Sequence, residues 1–175
     1  MSTKIMKSTR GGPSVIEYRG MKFLLMERPT DGTMNTFVEE LNKHGVKDLV
    51  RVCEPTYNTD RLEKKGIKVH DWQFCDGSPP PINIADAWIK LLKSRLRDEP
   101  GFCIAVHCVA GLGRSPVLVA LALIERGMKY EDAVELIRTK RRGAFNARQL
   151  AYLENYRSKS RLKSRNLRHK KCILM

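Results

Sequence analysis

A chain of 175 residues, 42% hydrophobic and 30% charged, has the makeup of a soluble globular protein and the length for one domain with a core of its own. No stretch approaches the roughly 18 apolar residues of a membrane span, and the basic, polar residues 1–12 lack the apolar region of a secretory signal, so a cytosolic chain with a flexible N-terminus is expected. The net charge of +14 is uneven: eight of the 33 basic residues and no acid lie between Arg157 and Met175, which sets the tail apart from the body.

The elements alternate in type. Val15–Tyr18 and Lys22–Met26 read as strands with Gly20 between them, and Thr33–Lys43 carries Met34, Phe37, Val38 and Leu41 at helical spacing, with Gly45 as a stop. Strands follow at Leu49–Cys53 and Ile67–Asp71. After Pro79-Pro80-Pro81 comes an amphipathic helix bearing Ile82, Ile84, Ala85, Trp88, Leu91, Leu92 and Leu96. Phe102–Val106 is continuously apolar, as a central strand covered on both faces should be. Three helices close the pattern at Ser115–Glu125, Glu131–Arg138 and Ala147–Tyr156. Such alternation predicts an α/β fold, a mostly parallel sheet flanked by helices, over residues 13–157. Residues 158–175 form a basic tail without apolar periodicity, expected to be disordered.

The five cysteines (53, 75, 103, 108 and 172) lack the regular spacing of a secreted disulfide framework, and no Cys-x-x-Cys or paired-histidine spacing calls for zinc. No metal or cofactor is expected.

The chemistry concentrates in His107-Cys108-Val109-Ala110-Gly111-Leu112-Gly113-Arg114-Ser115, between the buried strand and the next helix. Five residues between Cys108 and Arg114 let the loop curl until its N–H groups converge, and Gly111 and Gly113 permit the close backbone approach. The following helix adds its positive end, so Val109 to Gly113 form a cradle for a phosphate. Arg114 offers a planar fork matched to two phosphate oxygens. The same amides favour the thiolate of Cys108, the form that attacks phosphorus. A buried structural cysteine before a plain Gly-rich turn is the bland alternative. The conjunction of His, both glycines and Ser in register favours a cysteine-dependent phosphatase.

Phosphate esters need an acid for the leaving oxygen. Asp76, on the loop after a strand whose carboxyl end lies on the active side, is the candidate, with Asp71 as its rival. Ser115 can hydrogen-bond the departing sulfur or simply cap the helix. Gln149 can position the hydrolytic water or lie solvated on its helix. Cys53 ends a strand on the same sheet edge as Cys108, where it is a resolving thiol or an inert buried one. Cys75 and Cys103 are read as non-catalytic.

The chain ends Cys172-Ile-Leu-Met175, the pattern for farnesylation at Cys172, with release of the last three residues and methylation. The basic run upstream supplies the second signal that one prenyl chain needs. Nuclear import and nucleic-acid binding rank lower, since no aromatic residue follows Tyr156 to stack on bases.

Together the stretches Val50–Glu54, Ala105–Arg114 and Lys140–Asn146, with the basic tail and lipid box, resemble the phosphatases of regenerating liver, small prenylated enzymes of the dual-specificity type. The resemblance implies a five-stranded sheet with flanking helices, Cys108 and Arg114 in catalysis, Asp76 as acid and a Cys53–Cys108 redox disulfide. It also implies action on a phosphorylated protein or phospholipid at the cytoplasmic face of plasma membrane and endosomes, with cytoplasm or nucleus for the unprenylated chain. Farnesyltransferase, cyclin M magnesium transporters and further copies of the chain in a homo-oligomer are the implied partners. A low-turnover module docking an acidic transporter loop is the competing function. Two positions depart from the family: Ser115 stands where it usually has Ala, which favours faster turnover, and Cys75 where it often has Asp.

Overall fold

The computed structural model describes residues 12–163. β1 (Ser14–Tyr18) and β2 (Met21–Met26) pair antiparallel across a two-residue turn. Both turn residues, Arg19 and Gly20, have positive φ, the geometry that matches the twist of a tight hairpin. The chain then forms α1 (Met34–Lys43), β3 (Asp48–Arg51), the short α2 (Asp60–Glu63) and β4 (Lys68–Asp71). It continues through α3 (Ile82–Asp98), β5 (Cys103–His107), α4 (Arg114–Glu125), α5 (Tyr130–Lys140) and α6 (Ala147–Asn155). The strand order is β1-β2-β5-β3-β4, parallel everywhere except the β1–β2 edge.

Strand alternation divides the core. Phe23 and Leu25 of β2, Val50 of β3, and Ile104 and Val106 of β5 face the layer of α3 to α6. Leu24, Met26, Leu49, Cys103 and Ala105 face α1 and α2 on the other side. Every residue of α4 is buried, so this helix is the spine of the larger layer. Trp88 of α3, fully buried, packs in that layer and donates its indole N–H to the Leu118 carbonyl at 2.7 Å. No helix among the described residues is long and apolar enough to cross a membrane.

The expected strand at 49–53 stops at Arg51, and the last bond of its ladder with β5 runs from the Val52 N–H to the His107 carbonyl at 3.2 Å. The expected boundary at residue 157 is followed by a short segment that packs on the body. Residues 158–163 lie against the body with Leu162 buried, an anchoring that a scan for apolar periodicity misses because one apolar side chain and polar contacts to Glu125 make it.

Candidate active site

Parallel strands β5 and β3 both end at the edge where α4 begins, and Cys108 starts the loop between β5 and α4. The path of this loop is set by its carbonyl groups. The Cys108 carbonyl accepts from His107 Nδ1 at 3.1 Å, that of Val109 from Arg28 N–H at 3.1 Å, and that of Ala110 from Arg141 Nη2 at 3.2 Å. The Gly111 carbonyl accepts from Arg141 Nε at 3.1 Å, that of Leu112 from Phe145 N–H at 2.8 Å, and that of Gly113 from Val117 N–H at 3.2 Å. With every carbonyl held by the surrounding structure, the peptide planes turn their N–H groups inward. Among the described residues none accepts from the amides of Val109 to Gly113. The result is a ring of donors at the positive end of a buried helix, an anion site by construction.

Gly111 is obligatory there. Its φ is +69°, and a Cβ would lie 2.6 Å from Arg141 Nη2 and 2.9 Å from the Met26 carbonyl oxygen. Any side chain would displace the arginine that holds two of the loop carbonyls.

The sequence-nominated groups converge on this ring. Cys108 Sγ and Ser115 Oγ stand 3.2 Å apart and both residues are buried. Arg114, also buried, donates through Nη1 to the Phe74 carbonyl at 3.1 Å, which ties it to the loop bearing Asp76. Its Nε has no hydrogen-bond partner, and Asp76 Oδ1 stands 3.5 Å away. The Asp76 side chain is 87% exposed at the mouth, where a leaving group would exit. Exposed Val109 and Leu112 make the rim apolar.

Gln149 is fully buried rather than solvated. It is the third residue of α6 and closes a capping box with Asn146: Gln149 N–H donates to Asn146 Oδ1 at 2.8 Å, and Gln149 Oε1 accepts from Asn146 N–H at 3.0 Å. That leaves Nε2 without a partner, close enough to Gly113 that a Cβ on the glycine would lie 3.2 Å from it. Asn146 Nδ2 also donates to the Gly77 carbonyl at 3.1 Å, joining α6 to the Asp76 loop. A depression of about 320 Å³ opens between Asp76, Leu112, Phe145 and Gln149.

Asp71, the rival acid, is engaged by Arg51, whose Nη2 donates to Oδ2 at 2.8 Å. His107 is fully buried below the loop, and burial pushes its pKa down to about 4, so it is neutral. Its Nδ1–H donates to Cys108 O, which leaves Nε2 to accept from the Tyr57 hydroxyl at 2.6 Å. Cys53 Sγ lies 3.9 Å from His107 Nδ1 and shares a core cluster with Cys108, both thiols being free. Burial pushes the Cys53 thiol pKa up, against the pull of Arg114. Cys75 is exposed, and burial pushes Cys103 up to about 11. Cys172 lies outside the described residues.

Sequence reasoning missed Arg141, and no local pattern distinguishes it from its neighbour Arg142. The capping box at Asn146-x-x-Gln149 was the available signal for Gln149.

The protein-tyrosine phosphatase family model matches residues 16–155. Mouse protein tyrosine phosphatase type IVA 2 is 60% identical over 94% of this chain and 98% of its own. The Drosophila melanogaster PRL-1 phosphatase is 57% identical over 95% of this chain and 94% of its own. A solved putative protein tyrosine phosphatase from Leishmania major, 41% identical, superposes with a TM-score of 0.75 over 83% of this chain and 98% of that one. With a loop of backbone donors around a buried cysteine and relatives of this closeness, the chain belongs to the protein tyrosine phosphatases, among their type IVA members.

Proposed function

We propose that this phosphatase hydrolyses phosphate monoesters through a phosphocysteine intermediate while held at an anionic membrane surface. The observation that carries the chemistry is the set of donors around Cys108 from which no group among the described residues accepts: the loop amides, and the buried side-chain donors Arg114 Nε and Gln149 Nε2. Buried donors without partners are costly, and a phosphoryl group supplies acceptors for all of them. In the first step the Cys108 thiolate attacks phosphorus, the ester P–O bond breaks, and Asp76 gives its proton to the leaving oxygen. In the second, water attacks phosphorus and gives a proton to Asp76. The S–P bond breaks, and Ser115 O–H stabilises the departing sulfur. Gln149 Nε2 holds the attacking water.

Cys53 serves as resolving partner for oxidised Cys108 through the core they share. Farnesyl at Cys172 and the basic tail supply the two signals that membrane residence needs. A second reading, docking of an acidic loop such as that of a cyclin M transporter, draws support from Asp76 itself, since a carboxylate already stands 3.5 Å from Arg114 Nε.

Ser115→Ala tests the two-step route. Loss of one donor to a developing anion costs roughly 3 kcal/mol, about a hundredfold in rate. The loss should fall on hydrolysis: a stoichiometric burst in rapid-quench kinetics, then slow turnover, with phosphocysteine at Cys108 counted by mass spectrometry. Turnover equal to the parent with no covalent intermediate would remove Ser115 from the chemistry.

A further inference from the structure

α4 begins at the cradle and ends at Glu125, a length of about 18 Å at 1.5 Å per residue. At that far end the basic tail leaves the body, and the place is fixed by a buried carboxylate. Glu125 is fully buried and accepts from Tyr156 OH at 2.6 Å, Ser158 Oγ at 3.3 Å, Lys159 N–H at 3.3 Å and Arg161 N–H at 2.8 Å. Arg161 also pairs with Asp86 of α3 at 2.8 Å. Arg126 donates to the carbonyls of Arg19 and Leu162, so the β1–β2 turn, the α4–α5 turn and the strap Ser158–Lys163 are joined at one end. Lys163, at the end of the strap, packs beside Gly127.

This end carries Arg19, Arg126, Lys129, Arg157, Lys159 and Lys163, none paired with a carboxylate among the described residues. Glu131, Asp132 and Glu154 are its open acids. Beyond it, Arg165 follows Lys163 by two residues and Cys172 by nine, at most about 7 Å and 30 Å of chain. If the basic run lies on a bilayer, its first members draw this end onto the surface with them.

We infer that the end of the domain opposite the cradle is the face that meets an anionic lipid surface, so that the cradle opens away from the bilayer. The inference rests on the membrane residence proposed above and sharpens the substrate class: phosphorylated protein segments standing off the membrane are presented to Cys108, whereas headgroup phosphates of the same leaflet are not. The strap is the device that fixes this orientation. Seated on Glu125, it makes the tether leave from the far end of α4 instead of letting the domain turn over on a longer leash.

The test uses the farnesylated full-length chain on phosphatidylcholine vesicles containing phosphatidylserine and a lipid with a nitroxide headgroup. A small fluorophore is placed by an added reactive amino acid at exposed Pro100, at the far end, or at exposed Thr56, at the cradle end. Quenching should be severalfold stronger at Pro100. Arg19→Gln with Lys129→Gln should lower vesicle affinity about thirtyfold, the worth of two basic residues near an anionic leaflet, with turnover of a soluble phosphotyrosine peptide unchanged. A phosphoinositide in the vesicle should be spared relative to its soluble short-chain form. Stronger quenching at Thr56, or equal quenching at the two positions, overturns the orientation while leaving membrane residence intact. So does unaltered affinity of the double variant. Failure of the farnesylated chain to exceed Cys172→Ser in co-sedimentation overturns membrane residence itself, and the orientation with it.

Discussion

The two ends of α4 are each organised by a buried charge, with opposite outcomes. At the cradle, buried Arg141 gathers the carbonyls of Ala110, Gly111 and Gly12. At the far end, Glu125 gathers the Tyr156 hydroxyl together with N–H and O–H donors from the strap. The cation pulls carbonyls outward and so turns amides into the site, where they and Arg114 Nε stay unfilled. The anion takes up the donors around it and leaves no such vacancy. Satisfied, a buried charge is a structural rivet; used to hold acceptors away, it makes a binding site out of backbone.

That contrast predicts that the two charges fail differently, and the far end should fail harder in stability. Glu125→Gln keeps the volume but presents an amide group to donors. Removing one member of a buried charged network typically costs about 3–5 kcal/mol. The urea midpoint should drop accordingly, while kcat/KM of the folded fraction on a soluble phosphopeptide stays at the parent value. A variant that lost turnover without losing stability would erase the division of labour between the ends.

Arg141→Met should show the converse. With two loop carbonyls released, the amides no longer converge, and loss of preorganised donors is worth roughly 3 kcal/mol, about a hundredfold in kcat/KM. Binding of vanadate or tungstate, read by calorimetry, should weaken in parallel. Arg141→Lys should recover little, because one ammonium cannot bond the Ala110 and Gly111 carbonyls in the guanidinium geometry. Near-normal oxyanion affinity in Arg141→Met would show that Arg28 and Phe145 hold the loop without it.

The same contrast separates what the sequence discloses from what it hides. Cys108, Gly111, Arg114 and Ser115 lie within eight residues, so spacing alone brings them together, and the apolar run before them places them at a strand end. The alternation of periods likewise reveals the sheet and its helices. Arg141 and Glu125 act on segments about 30 residues away in sequence, and charge on a helix or loop ordinarily reads as solvated. Their roles emerge only when folding puts carbonyls or amides around them. Gln149 lies between these cases: its capping box is written locally, but the direction of its free amide is a tertiary fact. Loop placement already ranks Asp76 ahead of Asp71, but the engagement of Asp71 by Arg51 is a tertiary fact, since Arg51 comes from a neighbouring strand.

The mildest test concerns how the two ends titrate. At the cradle end, burial holds the His107 pKa at about 4, below its ordinary 6.5. The unfolded chain therefore takes up a proton as pH falls below 6.5 while the folded chain does not, so the stabilisation present at neutral pH is lost between about pH 6.5 and 4. A shift of that size corresponds to about 3 kcal/mol. At the far end Asp48 is buried, which alone would raise its pKa, but hydrogen bonds from His70 Nε2 at 2.9 Å and Arg95 Nε at 2.7 Å outweigh burial and hold it at about 2. Its contribution is complete above about pH 4 and lost as pH falls toward 2, about 2.5 kcal/mol in all. Urea midpoints measured from pH 7.5 to 2 should thus fall in two stages. His107→Asn should flatten the upper stage and Asp48→Asn the lower, whatever each substitution does to the absolute stability. A profile for Asp48→Asn with the parent's slope below pH 4 would mean that the loss there belongs to other carboxylates, Asp71 and Glu125 first among them, whose pKa values are also held down.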